Sequence, residues 1–215
     1  MQKTPAPQTV MLLGATGAVG SAVLALALAD ARVALVVALT RRPLAPAPKL
    51  QNIVVDFEQL PAQAPWWQVD AVICALGTTR RIAGSDARFV AIDRDMPVRA
   101  AQLAHAGGAR RYALVSSLGA QARSRNLYLR TKGETEAAIG ALGFSALTIV
   151  RPSLIDTERA ERRPFEHVSM QLARSLRPLI PRRWRTVTPA AIAAALLEGA
   201  LGGPAGTRII ESDQL

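Results

Sequence analysis

Length, composition and charge exclude several classes of protein: with 215 residues, half of them hydrophobic, the chain can bury one core and is short for two, so we expect a single domain over residues 1–215. The net charge of +10 comes mainly from arginine, but the charges are dispersed and aromatic residues are only 4% of the chain, which argues against a nucleic-acid partner. The single cysteine, Cys74, excludes an internal disulfide.

The stretch from Val10 to Ala29 has no charged residue and is as long as a membrane span. Ala27-Leu28-Ala29 resembles a signal-peptidase site, so a signal or membrane segment is one interpretation. Regularly spaced glycines and a threonine in its first half favour the alternative, a buried strand, turn and helix. We therefore expect no membrane association and a cytoplasmic location.

Apolar runs of strand length alternate with longer stretches of helical period, which is typical of a parallel sheet covered on both faces. The predicted strands are Thr9–Leu13, Val33–Leu39, Ile53–Val55, Ala71–Ala75, Tyr112–Val115, Leu147–Val150 and Arg208–Ile210. The predicted helices are Val19–Ala29, Arg88–Ala106, Tyr128–Leu142 and Pro189–Leu201. This order predicts an α/β protein with a Rossmann-like, doubly wound parallel sheet and helices on both faces.

Residues 151–188 differ from the rest because they are rich in arginine and proline and have little clean periodicity. They follow the sixth predicted strand, where an insertion would cover the carboxyl ends of the strands. We expect a short C-terminal substrate lobe that elaborates the same domain. Contact of Arg159, Arg162 and Arg163 with an anionic substrate is one interpretation of this segment, but not the favoured one.

A glycine-rich turn joins the first predicted strand to the first predicted helix. Its candidate cofactor residues are Gly14, Ala15, Thr16, Gly17, Ala18, Val19 and Gly20. In a dinucleotide fingerprint the first glycine permits a tight turn, the second lets the backbone approach the pyrophosphate, and the third lets helix and strand pack closely. A tight turn without a ligand also uses glycine, but the strand that follows favours nucleotide binding.

The second predicted strand ends at Arg41 and Arg42 with no acidic residue nearby. A carboxylate at this place hydrogen-bonds the ribose of NAD(H), whereas arginine meets the 2′-phosphate of NADP(H). The sequence therefore favours NADP(H), with NAD(H) possible, and the alternative is that both arginines are solvated surface charges. Asp56 and Phe57 follow the third strand and would flank the adenine, although Asp56 also fits a turn.

Tyr128 and Lys132 are four residues apart and share one face of a predicted helix. A neighbouring ammonium favours the phenolate, which makes tyrosine a usable acid and base, and the same lysine can hold the ribose hydroxyls of a nicotinamide nucleotide. Ser116 and Ser117 close the fifth strand, where a hydroxyl can bond a carbonyl oxygen that gains negative charge. The pattern predicts Tyr128 and Lys132 as catalytic residues with one of the two serines.

With these motifs, the chain resembles an atypical short-chain dehydrogenase/reductase and, more narrowly, the oxidoreductase subgroup of the Tat-interacting protein and its fungal and bacterial relatives. The matching segments are 14–20, 39–42, 74–80, 115–120, 128–134 and 151–154. The resemblance implies NADP(H) binding, and it implies Ser117 rather than Ser116 as the catalytic serine. It also places the turn Ala75-Leu76-Gly77 beside the cofactor, where larger relatives have Asn-Ala-Gly.

This turn and the helix before the fifth strand lack the asparagine that assists proton relay in larger relatives. Asn126, two residues before the tyrosine, fits a loop role instead. Asp93 and Asp95 flank Arg94 in the predicted helix 88–106, and we expect them to serve solvation and local pairing. His105 and His167 have no metal-ligating company, so no metal site is expected. Trp66 and Trp67 would cover the adenine or pack under a loop.

The sequence therefore predicts an NADPH-dependent oxidoreductase that reduces a small carbonyl compound, with Tyr128 as proton donor. Two alternatives use the same residues. One is a regulatory or assembly factor whose surface responds to NADP(H) with little or no turnover. The other is an epimerase or isomerase with a tightly held cofactor. A homodimer is compatible with each of these functions.

Overall fold

The computed structural model describes residues 6–156 and 181–215. Within these residues, seven strands form one sheet in which all neighbouring strands are parallel. The strands are β1 Gln8–Leu13, β2 Val33–Thr40, β3 Leu50–Val54, β4 Ala71–Cys74, β5 Arg111–Val115, β6 Ala146–Arg151 and β7 Gly206–Glu211. Their order across the sheet is β3-β2-β1-β4-β5-β6-β7, so the predicted Rossmann-like α/β fold is confirmed.

Helices cover both faces of this sheet. They are α1 Ala18–Ala29, α2 Arg80–Ala83, α3 Asp86–Val90, α4 Met96–Ala106, α5 Leu127–Gly140 and α6 Pro189–Gly202, with a π-helical turn, Ala91–Asp95, between α3 and α4. Single 3₁₀ turns occupy Pro65–Trp67, Arg182–Trp184 and Ser212–Gln214. In the described part of the chain, no helix has the length and apolar character needed to cross a membrane.

The two sides of β1 show why the sheet is buried on both faces. Val10 and Leu12 belong to a core layer that includes α1 and α6. Met11 and Leu13 point to the opposite layer, which includes residues of α4 and α5. Because side chains alternate along a strand, a continuous apolar run supplies both layers, and burial of this apolar surface stabilises the fold.

The position of the functional cleft follows from the strand order. From β1 the chain builds outward through β2 to β3, and it then crosses back to place β4 on the other side of β1. The helices after β1 and β4 consequently leave on opposite faces of the sheet. Such a switch point leaves a crevice at the carboxyl ends of the strands, which is where ligands of these sheets bind.

The predicted helix 88–106 is interrupted in the structure by the π-helical turn at Ala91–Asp95. Pro97 has no N–H and cannot make the α-helical hydrogen bond to the carbonyl of Asp93. That carbonyl accepts a hydrogen bond from Thr135 Oγ1 of α5 instead, at 3.0 Å. The single-helix prediction was therefore wrong at this point, because it overlooked the proline.

Strand β3 begins at Leu50, earlier than the predicted Ile53. Its first residues include polar side chains, which concealed the strand, and they are tolerated because β3 is an edge strand. The Asn52 amide donates hydrogen bonds to the carbonyl of Ala38 at 3.0 Å and to Thr40 Oγ1 at 2.8 Å. Asn52 therefore reinforces the pairing of β3 with β2.

Much of the predicted substrate lobe, including Arg159, Arg162, Arg163 and His167, lies outside the described residues. The chain on either side of the gap comes together. Ile155 and Val187 form a parallel bridge, and Ser153 Oγ donates a hydrogen bond to the carbonyl of Arg185. These contacts lie after β6, at the carboxyl edge of the sheet.

Candidate functional site

A turn of small residues joins β1 to α1 at the carboxyl edge of the sheet. Gly14 has a φ of +86°, and a Cβ there would lie 2.5 Å from the carbonyl oxygen of Ala75. A Cβ on Gly20 would lie 1.9 Å from the carbonyl oxygen of Gly14. The backbone approaches its neighbours too closely for a side chain at either position, so both positions require glycine.

The first turn of α1 presents uncapped amides. Gly17 is the N-cap residue, it provides no side-chain cap, and the first turn contains no acidic residue. Gly17, Ala18 and Val19 line the adjoining cleft. Because free amides and the positive end of a helix dipole attract anions, this end of the cleft fits the pyrophosphate of a dinucleotide.

The cleft itself has a volume of about 1200 Å³ and runs along the carboxyl ends of β1 to β6. Small-molecule pockets usually enclose about 300–1,000 Å³. The cleft is therefore large enough for a dinucleotide together with a second, smaller ligand. Ala75, Leu76 and Gly77 follow β4 and line its middle.

The ends of β2 and β3 form the side of the cleft nearest the sheet edge. Arg41, Asp56 and Phe57 line it, whereas Arg42 does not. The carbonyl of Arg42 accepts a hydrogen bond from Thr40 Oγ1 at 2.7 Å, which fixes the turn after β2. Of the two predicted cofactor-selecting arginines, only Arg41 lines the cleft.

The opposite side of the cleft is formed by α5. Asn126 caps this helix by accepting a hydrogen bond from the amide of Leu129 at 3.2 Å. Tyr128 is 36% exposed and packs its ring against Phe89, with the centroids 6.0 Å apart. Lys132, one helical turn further on, is buried, and both Tyr128 and Lys132 line the cleft.

Lys132 is paired with Asp93 of the π-helical turn. The distance from Lys132 Nζ to Asp93 Oδ1 is 2.7 Å, and the two side chains are 8% and 1% exposed. Asp93 Oδ2 accepts a hydrogen bond from the amide of Thr78 at 2.8 Å. Burial alone would lower the pKa of Lys132, but the charge of Asp93 and the nearby Tyr128 together raise it, so the lysine remains an ammonium.

The two serines after β5 have different surroundings. Ser116 Oγ donates a hydrogen bond to the buried carboxylate of Glu136, which also accepts one from Arg151 Nε at 2.9 Å. The hydrogen bond that Arg151 donates to Glu136 raises the pKa of Arg151. Ser117 Oγ has only a long contact of 3.4 Å with the carbonyl of Leu118. Both serines line the cleft, but the hydroxyl of Ser117 is the one free to bind a ligand.

The structure brings most of the sequence-predicted site residues into one cleft. Those that line it are Gly17, Ala18, Val19, Arg41, Asp56, Phe57, Ala75, Leu76, Gly77, Ser117, Tyr128 and Lys132. Gly14, Ala15, Thr16, Gly20 and Arg42 do not line it. Within that second group, Gly14 and Gly20 shape the turn from behind through the close contacts described above.

The sequence prediction for Asp93 was wrong. Asp93 is not solvated but 1% exposed, and it joins Lys132 to the backbone that follows β4. Asp95 behaves as expected, because it pairs at the surface with Arg94 at 2.8 Å. The signal that could have separated the two aspartates is Pro97, since a proline four residues on frees the carbonyl of residue 93 and distorts the helix there.

The remaining candidates lie away from the cleft. Trp67 is buried in the core and donates a hydrogen bond to the carbonyl of Pro61 at 2.8 Å, so its expected packing under a loop is confirmed. His105 makes an edge contact with the ring of Phe144. Among residues 6–156 and 181–215, no group of His, Cys, Asp and Glu side chains has the arrangement of a metal site.

Comparison with known proteins gives matches over most of the chain. A family model described as NAD(P)H-binding matches residues 14–198. Protein HTATIP2 of Rattus norvegicus is 40% identical over 182 residues, which are 82% of this chain and 73% of that protein. The protein fmp52 of Emericella nidulans, whose name places it in mitochondria, is 37% identical over 177 residues, 78% of this chain and 75% of its own length.

Solved structures share the fold at lower identity. MoeE5 in complex with UDP-glucuronic acid and NAD has a TM-score of 0.72 and 19% identity, covering 95% of this chain and 76% of MoeE5. The Bordetella bronchiseptica enzyme WbmG in complex with NAD has a TM-score of 0.68 and 12% identity, covering 99% of this chain and 75% of WbmG. At these identities the likeness establishes the fold alone.

Proposed function

The chain belongs to the NAD(P)H-binding, atypical short-chain dehydrogenases/reductases of the HTATIP2 type, and we propose that it is an NADPH-dependent oxidoreductase that reduces a small carbonyl compound. The observation that carries the proposal is the shared cleft of Ser117, Tyr128 and Lys132 with the glycine turn of α1. A proton donor, an ammonium and a free hydroxyl thus lie beside a site shaped for a pyrophosphate.

The preference for NADPH is supported by Arg41. Its guanidinium lines the cleft at the end of β2, where a 2′-phosphate would lie, and arginine binds phosphate through paired hydrogen bonds. Lys132 is placed to hold the ribose hydroxyls on the other side of the cleft. When bound, the reduced nicotinamide supplies the hydride and its two electrons to the carbonyl carbon.

The protein side of the reaction is a proton transfer. Tyr128 gives its phenolic proton to the substrate oxygen, so that the bond from the phenolic oxygen to hydrogen breaks as the alcohol O–H forms. Ser117 Oγ donates a hydrogen bond to the same oxygen while it gains negative charge. Since Tyr128 is 36% exposed, water can return the proton to the phenolate after the product leaves.

The mouth of the cleft favours a carbonyl compound with an apolar substituent. Ile82 and Leu154 line the cleft, and they are 73% and 69% exposed. Their place on the cleft wall, rather than their exposure alone, is what supports an apolar ligand group there. An aliphatic or aromatic group would bury both residues and hold the carbonyl near Tyr128.

The proposal is tested by replacing the phenolic hydroxyl. A screen of aldehydes, ketones and quinones for NADPH consumption first identifies a substrate. Tyr128→Phe should then lower turnover about 10²–10⁴-fold while NADPH affinity is unchanged. The matched control is Tyr112→Phe, which removes the hydroxyl of a wholly buried tyrosine that does not line the cleft. Full turnover by Tyr128→Phe would refute this mechanism.

The cellular setting stays a prediction. We propose a cytoplasmic protein, although relatives such as the Emericella nidulans fmp52 carry a mitochondrial name, and fractionation of cells that express a tagged chain would decide. The homodimer also stays a prediction, and light scattering on the purified protein would test it.

A further inference from the structure

The contact between Lys132 and Asp93 is an ion pair with almost no access to water. Asp93 is held from two directions, because its Oδ2 accepts the amide of Thr78 and its carbonyl accepts the hydroxyl of Thr135. A Cβ on Gly77 would lie 3.5 Å from Asp93 Oδ1 and 3.7 Å from Lys132 Nζ, so the turn Ala75-Leu76-Gly77 after β4 covers the pair. The carboxylate is therefore fixed in contact with the ammonium.

This carboxylate changes the electrostatic effect of the lysine on Tyr128. An ammonium alone stabilises a nearby phenolate. A carboxylate in contact with that ammonium contributes a potential of opposite sign, and because both side chains of the pair are buried, solvent screens them less than exposed charges. The pair has a net charge of zero, whereas the ammonium alone would have a charge of +1.

The other charged side chains that line the cleft do not compensate the charge of Lys132 in the way that Asp93 does. Arg88 and Glu58 pair with each other. Arg41 and Asp56 follow β2 and β3, and β2 is separated from β5 by β1 and β4, a distance of roughly 14 Å at the usual strand spacing. On α5 itself, Arg130 lies 3.9 Å from Glu134.

Behind the cleft, burial raises the pKa of the Cys74 thiol, so this thiol is neutral. Lys132 interacts electrostatically with both Asp93 and Tyr128, so a change of charge at Asp93 acts on this group of three side chains.

We propose that Asp93 is a positioning residue that fixes Lys132 under the cofactor and compensates its charge, so that Tyr128 stands in the cleft as a neutral phenol ready to donate a proton. The inference rests on the proposed role of Tyr128. At a given pH it favours the protonation state from which carbonyl reduction starts, because reduction needs the phenol whereas alcohol oxidation needs the phenolate as base.

The test is a tyrosinate titration, followed by ultraviolet absorbance, of the protein saturated with oxidised cofactor. The chain has only two tyrosines, and burial raises the pKa of Tyr112 well above its usual value. Tyr128→Phe identifies the tyrosinate step that belongs to Tyr128, because this variant lacks it. In Asp93→Asn, as long as the buried Lys132 keeps its proton, tyrosinate should appear about one pH unit lower, which is about tenfold more phenolate at a given pH.

The matched control is Asp95→Asn. It makes the same change of charge two residues away, at an exposed side chain that pairs with Arg94, and its titration should coincide with that of the unmodified protein. If the Asp93→Asn curve also coincides with it, and the two Lys132→Met variants described next titrate equally as well, the inference is overturned.

A second pair of variants covers the case in which Asp93→Asn does not fold because Lys132 is left buried and unpaired. Lys132→Met keeps the carboxylate alone, and Lys132→Met with Asp93→Asn removes both charges. Tyrosinate should appear at higher pH in the single variant than in the double variant. Equal titrations would show that Asp93 does not act on Tyr128.

These titrations do not depend on turnover, so the two proposals fail separately. If Tyr128→Phe keeps full turnover but Asp93→Asn shifts the tyrosinate titration, the proposed function fails and the electrostatic role of Asp93 remains. If turnover depends on Tyr128 but the titration does not shift, only the role of Asp93 fails.

Discussion

The two ends of the cleft are built by different physical means. The β1–α1 end is built from backbone, since Gly14 and Gly20 must lack a Cβ and no side chain caps the first-turn amides that follow Gly17. The α5 end depends on buried side-chain charges, with Lys132 held by Asp93. The first end is therefore sensitive to added atoms, and the second is sensitive to the loss of a partner.

The largest effect that this comparison predicts is that of Gly20→Ala. In an ordinary helix the change would stabilise by up to about 1 kcal/mol. Here the new Cβ would lie 1.9 Å from the Gly14 carbonyl oxygen, and the backbone must move. We expect the free energy of unfolding to fall by at least about 3 kcal/mol, with loss of cofactor binding.

Urea denaturation followed by circular dichroism measures this effect. Gly202→Ala is the matched control, because Gly202 also lies in a helix but a Cβ there would have no heavy atom within 4 Å. Its stability should stay the same or rise slightly. If Gly20→Ala were as stable as Gly202→Ala, close backbone packing would not be what defines the β1–α1 end.

The same difference explains how far each end could be predicted from the sequence. The glycine turn is local, so the spacing from Gly14 to Gly20 after an apolar run was enough to place it. Tyr128 and Lys132 are one helical turn apart, and their shared face was also predictable. The partner of Lys132 was not, because Asp93 belongs to another element and reaches the lysine only through tertiary packing.

A second buried ion pair tests whether charges behave alike throughout the α5 end. Glu136 is buried and accepts hydrogen bonds from Ser116 and Arg151. Glu136→Ala leaves the guanidinium without this partner in a site where its side chain is only 19% exposed. We expect the free energy of unfolding to fall by about 3 kcal/mol.

Glu134→Ala provides the comparison on the same helix. Glu134 pairs with Arg94 at 2.8 Å, but both side chains are about one-third exposed, so solvent screens the pair and the loss should stay under about 1 kcal/mol. Both variants gain the same helix propensity from alanine. If thermal and urea denaturation showed that Glu136→Ala and Glu134→Ala lose equal unfolding free energy, the distinction between buried and exposed pairs would be contradicted.

Arg41 is the exception at the backbone-built end, because it offers a side-chain charge to the ligand. Arg41→Ala should weaken NADPH binding about 10–100-fold, as expected for loss of a charge-assisted contact of about 1.5–3 kcal/mol. NADH binding should change little. Arg42→Ala is the matched control, since Arg42 does not line the cleft. Titrations with both nucleotides would contradict the assignment if the two variants lost NADPH affinity equally.

The smallest effect is expected at an ion pair far from both ends, where Arg32 joins Asp30 after α1 to Glu198 on α6. Hydrogen bonds from Arg32 lower the pKa values of Asp30 and Glu198. Both carboxylates therefore stabilise the fold at neutral pH, and this contribution is lost as the pH falls below about 4.

Because Glu198 is 64% exposed, Glu198→Gln should cost less than about 1 kcal/mol at pH 7. The difference in unfolding free energy between Glu198→Gln and the unmodified protein should vanish as the carboxylate protonates, which urea denaturation at several pH values would detect. A cost at pH 7 as large as that of Glu136→Ala would mean that burial does not decide the strength of these pairs. The contrast in stability between exposed ion pairs and the buried pairs at the α5 end of the cleft would then lose its basis.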